Sequence, residues 1–196
     1  MSTERPLHPI IVLTAPSGAG KTTIAHRIMD ALPRIRFSVS ATTRPPRTAE
    51  RDGIDYHFVT EAAFRRHIEQ DELIEYQEVY PGRFYGTLRT ELEQKTRTSP
   101  ILLDIDVKGA LNVKRLFGDR ALVIFIAPPS LAVLEKRLNL RNSETPEALA
   151  IRLERARMEI AQADKFDRII VNDDLDRASS EAIAIVEEFL RQPANA

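Results

Sequence analysis

The chain of 196 residues contains no cysteine and no tryptophan, few glycines (7), and almost no net charge. Without cysteine there are no disulfides, thiolate metal sites or thiol nucleophiles, which fits a reducing compartment. With 28 Lys+Arg against 29 Asp+Glu, net −1, neither a nucleic-acid wrapper nor a polybasic membrane binder is expected. Long apolar runs are missing too. The longest, Ile10 to Leu13 and Ala121 to Ala127, fall far short of the roughly 20 residues of a membrane span. No charged-then-apolar leader precedes them. A soluble, cytoplasmic, single-domain protein is the expectation. Apolar residues at 43% and charged residues at 29% exclude wholesale disorder. Arginine outnumbers lysine 22 to 6, which suits a locally basic cleft, although composition bias accounts for it equally well.

Four short apolar runs read as buried strands: Ile10 to Leu13, Ile101 to Ile105, Ala121 to Ala127 and Ile169 to Val171. Each is followed by a helical pattern, over Thr22 to Leu32, Ala110 to Phe117, Leu131 to Leu140 and Ala178 to Leu190. Strands alternating with helices predict an α/β fold with a mainly parallel sheet. Two stretches break the rhythm. Residues 38–90 hold β-like pieces and a helix near Glu61 to Ile68; residues 131–157 are helical and rich in arginine. They are expected to be inserts on the ligand-bearing edge of a core formed by residues 8–37, 100–130 and 158–192. Thr145-Pro146 is a cap and first-turn pair for the second helix of the latter stretch, and Thr90 with Glu93 has capping-box spacing.

The strongest chemical signal is the run Ala15, Pro16, Ser17, Gly18, Ala19, Gly20, Lys21, Thr22, Thr23, set between a strand and a helix. Glycines at 18 and 20 allow positive φ, so that successive backbone N–H groups converge on phosphate oxygens at a helix N-terminus. Lys21 is placed to reach β- and γ-phosphates, and the Thr22 hydroxyl to hold Mg²⁺. A glycine-rich turn with an incidental lysine is the plainer alternative. Asp104 and Asp106 end the run Ile101-Leu102-Leu103-Asp104-Ile105-Asp106 with period-2 spacing, at the strand end where open α/β sheets bind ligands. With the phosphate loop present, Asp104 suits an Mg²⁺ ion held through water.

Thr43-Arg44-Pro45-Pro46-Arg47 suggests a polyproline segment projecting Arg44 and Arg47 to one side, a stiff fork for a phosphate dianion. A proline-rich surface loop with solvated arginines is the bland reading. Arg137 and Arg141 share a helix face, and Arg152 opens the exposed side of the next helix. Three cations around a turn suit a lid over a transferring phosphate; a solvated charged helix balanced by Glu135 and Glu154 is the competing reading. The four histidines, His8, His26, His57 and His67, have no metal-ligand spacing.

Taken together, APSGAGKTT, FSVSATTRPPR, DGIDYHFV, IEYQEVY, FYGT, ILLDIDVKGA, FIAPPS, KRLNLR, IRLERA and VNDDLD resemble the guanylate kinase family, in its order, over about Ile10 to Leu190. The resemblance implies a P-loop α/β core with a partly β insert for GMP and a helical lid. It implies transfer of the γ-phosphoryl group of ATP to GMP, and to dGMP, with Mg²⁺. It places Ser40, Arg44, Arg47, Tyr56, Glu75, Tyr85, Thr87 and Asp106 on GMP-binding positions, residues 15 to 23 on the ATP loop, and Lys21, Arg137, Arg141 and Arg152 on the transferring group. Three departures stand out. Phe84 replaces a tyrosine, so one hydroxyl contact is expected to be missing. The segment Tyr80 to Arg83 is one residue longer, which is expected to reshape the loop beside the nucleotide, and Leu140-Arg141-Asn142 replaces a glycine-flanked arginine, which is expected to stiffen the lid.

Chemically, guanine offers N1–H and its 2-amino group as adjacent donors, which a carboxylate at Glu75 suits, while O6 needs a hydroxyl from Ser40 or Thr87. Two other readings stay open: a non-catalytic phosphopeptide-binding module of the same fold, and a P-loop kinase for another small phosphate acceptor.

Overall fold

The computed structural model describes residues 8–139 and 146–191. In chain order these form β1 (Ile10–Thr14), α1 (Lys21–Ala31), β2 (Arg36–Phe37), β3 (Ala41–Thr42), β4 (His57–Phe58), α2 (Glu61–Glu69), β5 (Leu73–Tyr80) and β6 (Arg83–Leu88). There follow α3 (Arg89–Thr96), β7 (Ile101–Asp104), α4 (Val107–Phe117), β8 (Ala121–Ala127), α5 (Leu131–Asn139), α6 (Pro146–Ile160), β9 (Arg168–Val171) and α7 (Leu175–Arg191).

Strand β1 is buried along its whole length because helices cover both faces of the sheet it centres. That sheet is parallel, in the order β2-β7-β1-β8-β9. Alternation along β1 divides the core. Ile11 and Leu13 pack with Ile24 and Ile28 of α1 and with Ala178, Ala182 and Val186 of α7. Ile10 and Val12 face the other way, toward Val107, Ala110 and Val113 of α4. On that side Phe125 and Phe166 stack at 5.7 Å.

The second sheet, β4-β3-β6-β5, comes wholly from residues 41–88 and has its own small core around Ala41, Phe64, Leu73 and Phe84. Strands β3 and β6 have no clear sequence signal: one is two residues long, and in the other Gly86 interrupts the side-chain pattern, so neither shows a period. Helix α3 departs from its expected start. It opens at Arg89 after Leu88 with no side-chain cap, so Thr90 and Glu93 form no capping box. Thr145 lies outside the described residues, while Pro146 does open α6.

Candidate active site

The carboxyl ends of β1 and β7 open into a cleft of about 320 Å³ whose opposite wall is the second sheet and whose roof is α6. Both the phosphate-loop residues and the expected base-reading residues line it.

At one end, Gly18 and Gly20 take φ of 90° and 96°, and Gly20 ends the loop as the residue before α1. The loop is held from behind by Asn172, which is 3% exposed and donates from Nδ2 to the Ala19 carbonyl at 2.7 Å. A Cβ on Gly20 would lie 2.3 Å from that same nitrogen, so glycine is required for space as well as for φ. Lys21 pairs with Asp104 and donates to the Ile105 carbonyl at 2.9 Å, and the Thr22 hydroxyl donates to Asp104 Oδ2 at 3.2 Å. Residues 82 to 84 positions apart in the chain are thus brought together as the sequence suggested.

Asp106 plays a second part. Strand β7 stops at Asp104, so the period-2 reading does not extend to 106. Instead Asp106 caps α4, accepting from Gly109 N at 2.9 Å, and still lines the cleft.

At the other end, Glu75 is 4% exposed and accepts a hydrogen bond from the Thr87 hydroxyl at 2.7 Å. Burial pushes its carboxyl up to about 7; Asp106 adds to the rise, and the Thr87 hydrogen bond opposes it. Gly109 makes room for this group, since a Cβ there would sit 2.4 Å from Glu75 Oε2. Thr87 is fully buried and committed to Glu75, so of the two hydroxyls expected at the base, that of Ser40 is the one lining the cleft. Tyr85 and Tyr56 also line this end, edge to face at 6.0 Å, and burial raises the Tyr56 phenol to about 12. Phe84, pointing the opposite way along β6, is 5% exposed and stacks on Phe64 at 5.4 Å. A hydroxyl at 84 would enter the insert's own core rather than the cleft. The loop from Tyr80 to Arg83 is the tight turn of the β5–β6 hairpin around Pro81 and Gly82.

The double-arginine fork needs correction. Arg47 lines the cleft, but Arg44 is buried and closed on Glu50, with both guanidinium nitrogens within 2.6 Å of the carboxylate oxygens. A turn from Arg47 to Glu50 folds the chain back, and the Arg47 backbone N–H also donates to Glu50 at 2.8 Å. The Arg44 hydrogen bonds hold the Glu50 carboxyl down at about 2. The two arginines therefore do not project as one fork.

Of the expected lid cations, Arg152 lines the cleft. Arg137 instead donates to the Asn172 carbonyl at 2.9 Å, beside the phosphate loop and outside the cleft lining. Arg141, with Leu140 and Asn142, lies outside the described residues. Sequence reasoning missed Glu50, Asn172, Arg155 and Glu159; the last two line the cleft on α6. Their spacing from Arg152 put them on one helix face and was the available signal.

Mg²⁺ fits the oxygen donors present. Thr22 and Asp104 are hard ligands, too few for an all-protein cage, and Mg²⁺ binds in that manner, keeping waters and phosphate oxygens. Among the described residues no group of three or more His, Cys, Asp or Glu could hold a metal alone.

The chain is similar to known proteins over nearly its whole length. The guanylate kinase family model matches residues 8–192. The chain is 57% identical to a guanylate kinase of Salinibacter ruber, over 92% of this chain and 96% of that one. It is 48% identical to a guanylate kinase of Chlorobaculum tepidum, over 98% of this chain and 100% of that one. A crystal structure of guanylate kinase from Anaplasma phagocytophilum superposes with TM-score 0.78 at 31% identity, covering 96% and 89% of the two chains. A shikimate kinase from Bacteroides thetaiotaomicron, 15% identical with TM-score 0.51, shares the fold alone.

Proposed function

The chain belongs to the guanylate kinase family, and from that premise we propose how its residues move the γ-phosphoryl group of ATP onto GMP. The enzyme is a nucleoside monophosphate kinase on a P-loop α/β core. The observation that carries the reading is a phosphate loop facing a buried Glu75–Thr87 pair across one cleft.

In this reading the Gly18–Gly20 loop cradles the ATP phosphates with backbone N–H groups, and Lys21 leaves Asp104 for the more highly charged β- and γ-phosphates. Thr22, with Asp104 through water, would hold Mg²⁺, which would neutralise charge on the β- and γ-phosphates when ATP is bound. Glu75, fixed by Thr87, accepts from N1–H and the 2-amino group of guanine, and Ser40 donates to O6. Adenine lacks those donors and would leave a buried carboxylate unpaired. Arg47, Tyr56 and Tyr85 bind the GMP phosphate; Arg44 joins them on exchanging Glu50 for phosphate. A phosphate oxygen of GMP then forms a bond to the γ-phosphorus as the bond to the β-bridging oxygen breaks, releasing ADP. Lys21 and Arg152, with Arg137 and Arg141 from the lid, neutralise the transferring charge.

The division of labour follows: core 8–37, 100–130 and 158–192, GMP insert 38–90, lid 131–157. No described helix is long and apolar enough to cross a membrane, and the cytoplasm is the compartment we assign, on the absence of cysteine and the nature of the substrates. The test is ADP release with Mg-ATP across GMP, AMP, CMP, UMP and dTMP. GMP should be the preferred acceptor by several orders of magnitude; equal rates with AMP would overturn the base assignment.

A further inference from the structure

The cleft holds one pair of charged side chains that the reaction above does not use. Arg155 and Glu159 on α6 both line it, and Arg155 Nε donates to Glu159 Oε1 at 2.8 Å. From the same guanidinium, Nη1 donates to the Val79 carbonyl at 3.1 Å. That second bond leaves the helix and ties α6 to the end of β5, 76 residues away in the chain.

The Val79 carbonyl is available for a reason built into the strand. The β5–β6 ladder pairs Gln77 with Tyr85 and Glu78 with Phe84, then slips to Tyr80 with Arg83. Val79 is therefore the extra residue of a β-bulge. A bulge takes one residue out of the ladder and re-aims its backbone groups, here into the cleft. A carbonyl so displaced needs a donor from elsewhere, and Arg155 is that donor. A planar guanidinium can satisfy a carboxylate and a carbonyl in two directions at once, which a lysine ammonium does less well.

Strand β5 also carries Glu75, four residues back and roughly 13 Å along the strand. Helix α6 carries Arg152, one turn before Arg155. We propose that Arg155 is a positioning residue that couples the two substrate sites: by gripping Val79 it fixes the end of the base-reading strand against the helix that carries a phosphate-facing arginine. Filling one site then favours the arrangement the other needs. The proposal rests on the assignment of Glu75 to guanine.

Calorimetric titration of the full chain tests it. A non-hydrolysable ATP analogue with Mg²⁺ is titrated with and without saturating GMP, and the ratio of the two Kd values is the coupling. Coupling of roughly tenfold is expected for the natural chain, within the usual range for linked sites. Arg155→Ala should bring the ratio to within about twofold of one, and Arg155→Lys should restore only part of it. In steady state the loss should appear as a higher KM for GMP at saturating ATP. A merely structural ion pair would lower the melting temperature, or weaken both nucleotides, and leave the ratio unchanged; that result overturns the proposal, as does absence of coupling in the natural chain. If Arg155→Ala does not fold, Arg155→Lys carries the comparison, and coupling equal to that of the natural chain contradicts the tie. Glu75→Gln is titrated alongside. Unchanged GMP binding there would overturn the base assignment, and the route of coupling with it, even where Arg155→Ala behaves as expected.

Discussion

At the phosphate-loop end of the cleft a single stretch, Ala15 to Thr23, turns on two glycines and presents backbone amides, whereas the end we propose for GMP draws Ser40, Tyr56, Glu75, Thr87 and Asp106 from five separate segments. The first end pairs its charges with each other, Lys21 with Asp104. The second buries a carboxylate whose desolvation lifts it to about 7, and spends Thr87 and the space at Gly109 on holding it. A loop of amides grips any polyphosphate; a buried carboxylate in a shaped site rejects every base that does not return its hydrogen bonds. On the proposed reading, generality and selectivity lie at opposite ends of one cleft.

The sharpest break should come at the phosphate end. Lys21→Ala should lower kcat by roughly 10³- to 10⁵-fold with GMP affinity little changed, because the lost charge acts on the transferring group. Single-turnover kinetics with measured GMP affinity checks this, and a near-normal kcat would contradict the loop assignment. At the other end, Glu75→Gln keeps the shape but turns a donor toward guanine's donors. Its kcat/KM for GMP should fall by roughly 10²- to 10⁴-fold, along with the preference over AMP.

Two added methyl groups sharpen the contrast. Gly20→Ala strains φ and pushes on Asn172, so ATP binding should weaken; Gly109→Ala displaces the Glu75 carboxylate, so GMP binding should weaken instead. Each loss should be roughly 10- to 10²-fold, the scale of a misplacement near 1 Å, and equilibrium titration of both nucleotides reads it.

The two carboxylates also set opposite trends of stability with pH. Glu75 has a folded-state pKa of about 7, above its ordinary 4.5, so the folded protein holds the proton more tightly than the unfolded chain. Its contribution is fully present below pH 4.5 and is lost as pH rises to 7, amounting to roughly 2–3 kcal/mol. Denaturant titrations of the ligand-free protein should show the natural chain losing stability relative to Glu75→Gln across that window. Glu50 runs the other way: held at about 2, its contribution is present above pH 4.5 and fades as pH falls through 2.

What could be read from the sequence follows the same division. The phosphate loop was legible because it is contiguous and flanked by a buried strand and an amphipathic helix; Asp104 followed from strand position. Glu75 and Ser40 came through the family resemblance, since nothing local separates Glu75 from its neighbours Asp71 and Glu72. Side-chain partners brought in by turns and bulges were not legible. Glu50 on Arg44, Asn172 behind Ala19 and Arg155 on Val79 each depend on a turn or a bulge whose geometry no period encodes. The polyproline reading of Arg44 failed for that reason: it described the local backbone and not the carboxylate that folds back onto it.

The most direct test is a crossed titration of ATP analogue and GMP, each alone, into Lys21→Ala and Glu75→Gln. If the two ends are built and act as described, Glu75→Gln should weaken GMP by at least roughly 10²-fold and leave the ATP analogue within about twofold, while Lys21→Ala should leave GMP within about twofold. Equal weakening of both nucleotides by either variant, or intact GMP binding in Glu75→Gln, would contradict it.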